Sequence, residues 1–338
     1  MSRPLLKRRP PDRSQLLRWA FQAAFLLLNI WIGIEFYLFV RPHETGAAAP
    51  WASRPPGVEG WLPIASLMNL KLWLATGRVP ALHPAGAFLL ISFVTISLLL
   101  RKAFCSWLCP IGTISEWLWR LGRRIFRRSF RLPRWADVAL RSLKYILLGL
   151  FLYAVGSMSV SAIQAFLEGP YGIIADVKML NFFRHLSLTA AVALSALVLL
   201  SVFVQNFWCR YLCPYGALLG LAARFSPARI RRVPEVCIDC ARCAQACPSL
   251  LPVDQRITIR SPECTGCLDC VVACPAEGAL WMSAGKRRRV PAWLMAAAIA
   301  ALFLAITGYA RWTGHWNTDI PSRVYGELIP RAGEFTHP

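Results

Sequence analysis

The sequence predicts an α-helical polytopic membrane protein with about five transmembrane helices, carrying a small α+β domain on its cytoplasmic side. Three observations predict it: 56% hydrophobic against 16% charged residues, five long apolar runs, and one short segment holding eight of the 12 cysteines. An ordinary soluble domain is richer in charge.

The runs lie at 20–40, 79–100, 145–163, 186–204 and 290–310. Each is long enough, or nearly so, to cross about 30 Å of hydrocarbon as a helix. Arg3, Lys7, Arg8 and Arg9 precede the first run as they would a signal peptide. Its apolar stretch exceeds the roughly 7–15 residues of a signal core, so it reads as a retained anchor despite the small residues at 47–52. Of the 38 Lys and Arg, 29 fall before the first run or at its start, between the second and third, and between the fourth and fifth. The other nine fall in the alternate segments. The excess of positive charge on the inner face then puts the N-terminus and both large loops inside and the C-terminal tail outside. All 12 cysteines lie in the segments assigned inside, where thiols stay reduced.

The net charge of +21 is therefore a topology signal, and nucleic acid is not an expected partner. The stretch 116–131 is apolar on one face and cationic on the other, which suits a helix lying on an anionic leaflet, with membrane lipid as partner. Lys286, Arg287, Arg288 and Arg289 anchor the last run.

Four parts follow. Residues 1–205 form a duplicated membrane domain with four spans, 206–231 a connector, 232–282 the cysteine-rich domain, and 283–338 a fifth span with an outward tail. The duplication shows in Phe104-Cys105-Ser106-Trp107-Leu108-Cys109-Pro110-Ile111-Gly112 against Trp208-Cys209-Arg210-Tyr211-Leu212-Cys213-Pro214-Tyr215-Gly216, each directly after an apolar run. Glu59-Gly60 before the second run parallels Glu168-Gly169 before the fourth. Spacing of i and i+4 puts Cys105 with Cys109, and Cys209 with Cys213, on one helix face. Three roles fit these four thiols: a cluster or other metal site, a redox dithiol pair, or packing.

The remaining cysteines form Cys237-x-x-Cys240-x-x-Cys243-x-x-x-Cys247-Pro248 and Cys264-x-x-Cys267-x-x-Cys270-x-x-x-Cys274-Pro275. This is the spacing of two [4Fe-4S] clusters, in which the fourth cysteine of each run ligates the other cluster. One cluster takes Cys237, Cys240, Cys243 and Cys274; the other takes Cys264, Cys267, Cys270 and Cys247. Zinc ribbons use separated C-x-x-C knuckles, and a disulfide framework does not suit a large non-secreted chain. Residues 256–259 read as a strand between the runs, giving a two-[4Fe-4S] ferredoxin-like domain. So short a segment buries little core and draws much of its folding free energy from ligation.

Two C-x-x-x-C-P motifs on membrane spans, joined to a double-cluster segment, resemble the membrane polyferredoxin family. Its members include the quinol-dehydrogenase membrane component of periplasmic nitrate reduction and regulator-like electron donors of nitrous oxide reduction. The resemblance covers nearly the whole chain from the first span to Cys274. It implies a multi-pass protein of the bacterial inner membrane that passes electrons between quinone and a periplasmic or cytoplasmic redox partner. The fifth span and the tail 312–338 depart from the nitrate-reduction member. That tail, with Trp316, Asp319 and Tyr325, reads as an unstructured end or as a dock for a periplasmic partner. For the protons of quinone chemistry the candidates are Glu35, near the outer end of the first run, and His83 and His185 at the outer ends of two others. A second reading, from resemblance to membrane ferredoxin-type copper-handling factors, is an accessory supplying electrons for metalloenzyme assembly; a third is a structural anchor. The sequence shows no nucleotide-binding glycine fingerprint, H-E-x-x-H zinc motif or C-x-x-C-H haem site.

Overall fold

In a hydrocarbon layer a backbone is satisfied only by its own local hydrogen bonds, and all five apolar runs form helices. The computed structural model describes residues 12–46, 51–127, 130–285 and 288–337. Arg3, Lys7, Arg8, Arg9, Lys286 and Arg287, assigned above as flanking charges, lie outside these.

The helices are Ser14–Thr45, Pro84–Leu100, Arg134–Ser157, Leu188–Phe203 and Ala292–Trp312. Among the described residues, Ser14–Thr45, Arg134–Ser157 and Ala292–Trp312 are long and apolar enough to cross a membrane. A fourth is reached if the Ala175–Arg184 and Leu188–Phe203 helices, bent by 82° at their junction, count as one. The expected second span is the 17-residue Pro84–Leu100 helix, about 25 Å long at 1.5 Å per residue. It starts late because Pro84 opens it and His83 has a φ of 53°, a left-handed conformation that no continuing helix has. The third ends early, at Ser157, and the Ser159 hydroxyl caps a new helix, Val160–Glu168, by accepting from the Ala162 amide (3.1 Å). Lys71 Nζ closes the end of the third helix by donating to the carbonyls of Val155, Gly156 and Met158 (3.0, 2.7 and 2.6 Å).

The chain divides into two compact units, and the division falls inside each of the five helices. One unit takes the described residues up to Leu26, with Phe93–Leu148 and Leu194–Phe303; the other takes Leu27–Ser92, Gly149–Ala193 and the residues from Leu304. All 12 cysteines belong to the first.

In the first unit, β1 (Ala228–Arg232), β2 (Leu280–Ala284) and β3 (Arg288–Arg289) form an antiparallel sheet in that order. Ile230 pairs with Met282, and both are buried. The 256–259 stretch is not a full strand. It lies along β1 through an isolated bridge at Thr258 and two hydrogen bonds, Arg232 N to Ile257 O (2.8 Å) and Ile259 N to Ile230 O (2.9 Å). Residues 116–126 of the amphipathic stretch belong to the Pro110–Phe126 helix, whose exposed apolar stripe is Ile114, Trp117, Leu121 and Ile125, while Arg128 and Ser129 of that stretch lie outside the described residues.

In the second unit, Tyr325 and Ile329 of the C-terminal segment are buried with Phe36, Phe39 and Val58. The tail is thus part of a hydrophobic core, which corrects its reading as an unstructured end.

Candidate redox site

Each C-x-x-x-C-P motif places its second cysteine at a helix start. Pro110 and Pro214 occupy the first helical positions, and the preceding sulfurs accept from the amides of Gly112 (3.4 Å) and Gly216 (3.2 Å). Gly112 is required sterically, since a Cβ there would strike the Cys105 carbonyl; at Gly216 a Cβ meets only ordinary contacts. Cys105 lies in the short Ala103–Trp107 helix, and Cys209 in a π-helical turn, Trp208–Leu212. All six pairs among Cys105, Cys109, Cys209 and Cys213 interact electrostatically. The structure therefore brings the two motifs together at one place. Burial pushes the Cys109 thiol up to about 11 and raises those of Cys105, Cys209 and Cys213. A reactive dithiol needs the opposite shift.

The second cysteine run is fastened to the first motif. Ser106, next to Cys105, donates its hydroxyl to Thr265 O (2.7 Å), and Trp107 Nε1 donates to Gly266 O (3.2 Å), both acceptors lying between Cys264 and Cys267. Gln15 Nε2 donates to Cys267 O (2.9 Å). Beside Cys264, Glu263 receives Lys144 Nζ on both oxygens (2.7 Å each) and Tyr145 OH (3.0 Å), with Lys102 Nζ at 3.8 Å. Burial alone would push the Glu263 carboxyl up, yet Lys102 and Lys144 hold it down at about 2. Arg18, fully buried, binds Glu116 with two hydrogen bonds of 2.7 Å and reaches Asp269 at 3.5 Å.

Glu263→Ala would leave two buried ammonium groups without their carboxylate. The expected cost is about 3–5 kcal/mol, seen as a lower melting temperature and loss of iron from the Cys264 run; an unchanged melting temperature would contradict this packing.

Within the two long runs the backbone repeats itself. Asp239 and Ala241 in the first run, and Gly266 and Leu268 in the second, stand at equivalent positions with φ of 54°, 54°, 64° and 65°. These left-handed turns let successive cysteines face a common centre, at a cost in strain for Ala241 and Leu268 that the surrounding structure must hold. Cys243 interacts electrostatically with Cys274 and Cys237. Cys270 interacts with Cys247, Cys264 and Cys267, and these four cysteines line one cavity with Ile230, Val253 and Ile259 among others. The four are buried, whereas Cys240 is exposed. Arg232 Nη1 donates to Cys237 Sγ (3.3 Å). Among the described residues no group of His, Cys, Asp or Glu converges on a single-ion site. A cubane does not require that, since each of its four irons takes a separate thiolate. The donor set of four soft thiols in an apolar pocket fits such a cluster.

Glu35 is half-buried on the first helix, and His185 is exposed. His83 is buried and meets Glu59, with Arg54, Asp176 and Thr318. Sequence reasoning passed over Arg54 and Asp176, and also the Arg18–Glu116 and Lys144–Glu263 pairs. The signal was present only as charge at the ends of apolar runs.

A 4Fe-4S binding domain model matches residues 82–129 and again 186–232, once over each C-x-x-x-C-P motif, and a 4Fe-4S dicluster domain model matches 229–275. YccM of Escherichia coli (strain K12) is 46% identical over 326 residues, covering 95% of this chain and 91% of that protein. Regulatory protein NosR of Pseudomonas aeruginosa is 34% identical over 190 residues, 54% of this chain and 25% of NosR. Ferredoxin-type protein NapH of Escherichia coli (strain K12) is 27% identical over 222 residues, 62% and 71% of the two chains. No solved structure matches. With both cysteine patterns in place and near-full-length similarity to one relative, the chain belongs to the membrane polyferredoxin family of iron–sulfur electron transport proteins.

Proposed function

We propose that the protein exchanges electrons between the quinone pool and a protein redox partner. The observation that carries this is the hydrogen bonding of Ser106 and Trp107 to the Thr265–Gly266 turn, which joins the duplicated thiol motif to the second cysteine run. Cys237, Cys240, Cys243 and Cys274 would hold one cluster, and Cys247, Cys264, Cys267 and Cys270 the other; bound there, cubanes supply one-electron steps. Cys105, Cys109, Cys209 and Cys213 would hold a further metal or cluster. Cys240 is the exposed ligand, so a soluble partner docks beside it. Arg232 fixes a positive charge against Cys237 and favours the reduced state of that ligand set. Glu35 is the proposed proton-transfer group on the first helix. In proteoliposomes with hydroquinone in the bilayer, reduction of a water-soluble one-electron acceptor is expected to require the protein. A rate equal to that of protein-free liposomes would sink the reading.

The same reading has five spans in a bacterial inner membrane, with the cysteines cytoplasmic and the C-terminus periplasmic. It is supported by the 29-to-9 partition of basic residues. The exposed stripe from Ile114 to Ile125 suits contact with lipid. A reporter active only in the periplasm is expected to work when fused at the C-terminus and to fail when fused after Gly285. The reverse pattern would invert the topology.

A further inference from the structure

The unit without cysteines contains a buried charge cluster. Arg54 Nη1 donates to Glu59 Oε1 (2.8 Å), and its Nε donates to Asp176 Oδ2 (2.8 Å). Glu59 also accepts from the Thr318 hydroxyl (2.6 Å) and the Gly86 amide (3.0 Å), and Asp176 Oδ1 accepts from the Val177 amide (2.8 Å). His83 completes the cluster: its Nε2 lies 3.0 Å from Gly172 O, and its Nδ1 lies 3.0 Å from Arg54 Nη2 and 3.5 Å from Glu59 Oε1. Asn69 Nδ2 donates to the carbonyls of Leu82 and His83 (2.9 Å each), which fixes the turn that aims the ring. Glu59 and Asp176 are 0% exposed and His83 is 1% exposed.

Two carboxylates face one guanidinium, which leaves one negative charge in excess. An unbalanced buried charge is costly, so a network serving only to staple loops would close its charge. Among the described residues, this one closes when the imidazole is cationic. Gly172 O can only accept, so Nε2 keeps its hydrogen in either state and exchange falls on Nδ1. In the neutral ring Nδ1 accepts from Arg54 Nη2; in the cationic ring Nδ1–H donates toward Glu59 Oε1. Nδ1 stands within reach of both partners.

We infer that Arg54, Glu59, His83 and Asp176 form a proton-exchange site in which His83 Nδ1 takes up and releases one proton. The groups facing it are Arg54 and Glu59 from the segment around the Pro56–Trp61 turn and Asp176 from the Ala175–Arg184 helix, and from the C-terminal segment Thr318 and Tyr325 stand against Arg54 and Glu59. The Tyr325 hydroxyl is buried, makes no hydrogen bond among the described residues, and interacts electrostatically with Arg54, Asp176 and Glu59. Burial opposes the charged ring, but Glu59 and Asp176 outweigh it and hold His83 above the ordinary histidine range. With that sign, the ring's contribution to stability is complete below about pH 6.5 and is lost as pH rises through the folded-state value. Burial likewise opposes ionised Glu59, which His83 and Arg54 hold down at about 2. That contribution is present above about pH 4.5 and is lost as pH falls toward 2.

Hydroquinone oxidation releases two protons with its two electrons, and a site of this kind would accept one of them. That use rests on the quinone reading above; the proton exchange itself does not. The test is NMR of the full chain, with ¹⁵N-labelled histidine, in lipid nanodiscs titrated from about pH 5 to about pH 10. The chain has five histidines. His83 is assigned by its loss in His83→Gln or, should that variant not fold, by replacing His43, His185, His315 and His337 with Gln. The expected ring is the Nε2–H tautomer at high pH, becoming doubly protonated with a midpoint above about 6.5, and Asp176→Asn lowers that midpoint by about one unit. A single protonation state throughout, or a midpoint that Asp176→Asn does not move, overturns the inference. Failure of hydroquinone to drive acceptor reduction would remove the quinone reading and leave the titration as it stands.

Discussion

Serine at Cys243 and serine at Cys274 are expected to remove the same cluster, although the two positions belong to different runs. Cys243 interacts electrostatically with Cys274, while Cys247 groups with Cys264, Cys267 and Cys270 around one cavity. Removing a ligand thiolate removes a bond to iron and leaves a poor donor in its place. Each of these two variants should therefore lose about half of the iron and sulfide held by the eight ligands, and Cys247→Ser should lose the complementary half. Reduced-state EPR of Cys243→Ser and Cys274→Ser should match, and that of Cys247→Ser should differ. If Cys274→Ser instead matched Cys264→Ser, each run would be ligating its own cluster.

The second large effect concerns the C-x-x-x-C-P thiols. Serine at Cys105, Cys109, Cys209 or Cys213 is expected to lower hydroquinone-driven reduction about 100-fold or more, while dithionite still reduces the two clusters held by the eight ligands. Serine keeps the approximate size and removes the soft sulfur donor. All six pairs among the four thiols interact, and the proposal has them act as one unit. A double variant should then be no worse than a single one. Four folded variants with full activity and unchanged metal content would make these cysteines packing residues.

The cysteine chemistry was legible because ligation imposes short spacings that survive in the sequence as periods of three and four. The five helices were legible from apolar length, but their ends were set by local events. His83 turns left-handed before Pro84, and Ser159 caps a new helix where the third run was expected to continue. Buried charge was not legible. Arg18, Arg101, Lys102 and Lys144 were counted as topology signals, since a cation at the end of an apolar run looks the same whether it meets headgroups or protein. In the fold Lys144 meets Glu263 across 119 residues, and Arg18 meets Glu116 across 98. His83, at the start of the second run, reads from the sequence as one of a proton-exchanging pair with Glu35. Its acid in the structure is Glu59, which the sequence offered only as a repeat landmark. The tail's burial depends on Tyr325 and Ile329 finding Phe36 and Phe39, a contact with no local signature.

The most direct test of the relay is an anaerobic titration of the purified, oxidised protein with hydroquinone, followed by visible absorption and EPR, with iron, acid-labile sulfide and zinc measured on the same sample. The account predicts about eight iron and eight sulfide from the two long runs, further metal only at the C-x-x-x-C-P thiols, and cluster bleaching on hydroquinone addition. Stoichiometric zinc without sulfide, or clusters that dithionite reduces and hydroquinone leaves oxidised, would contradict it.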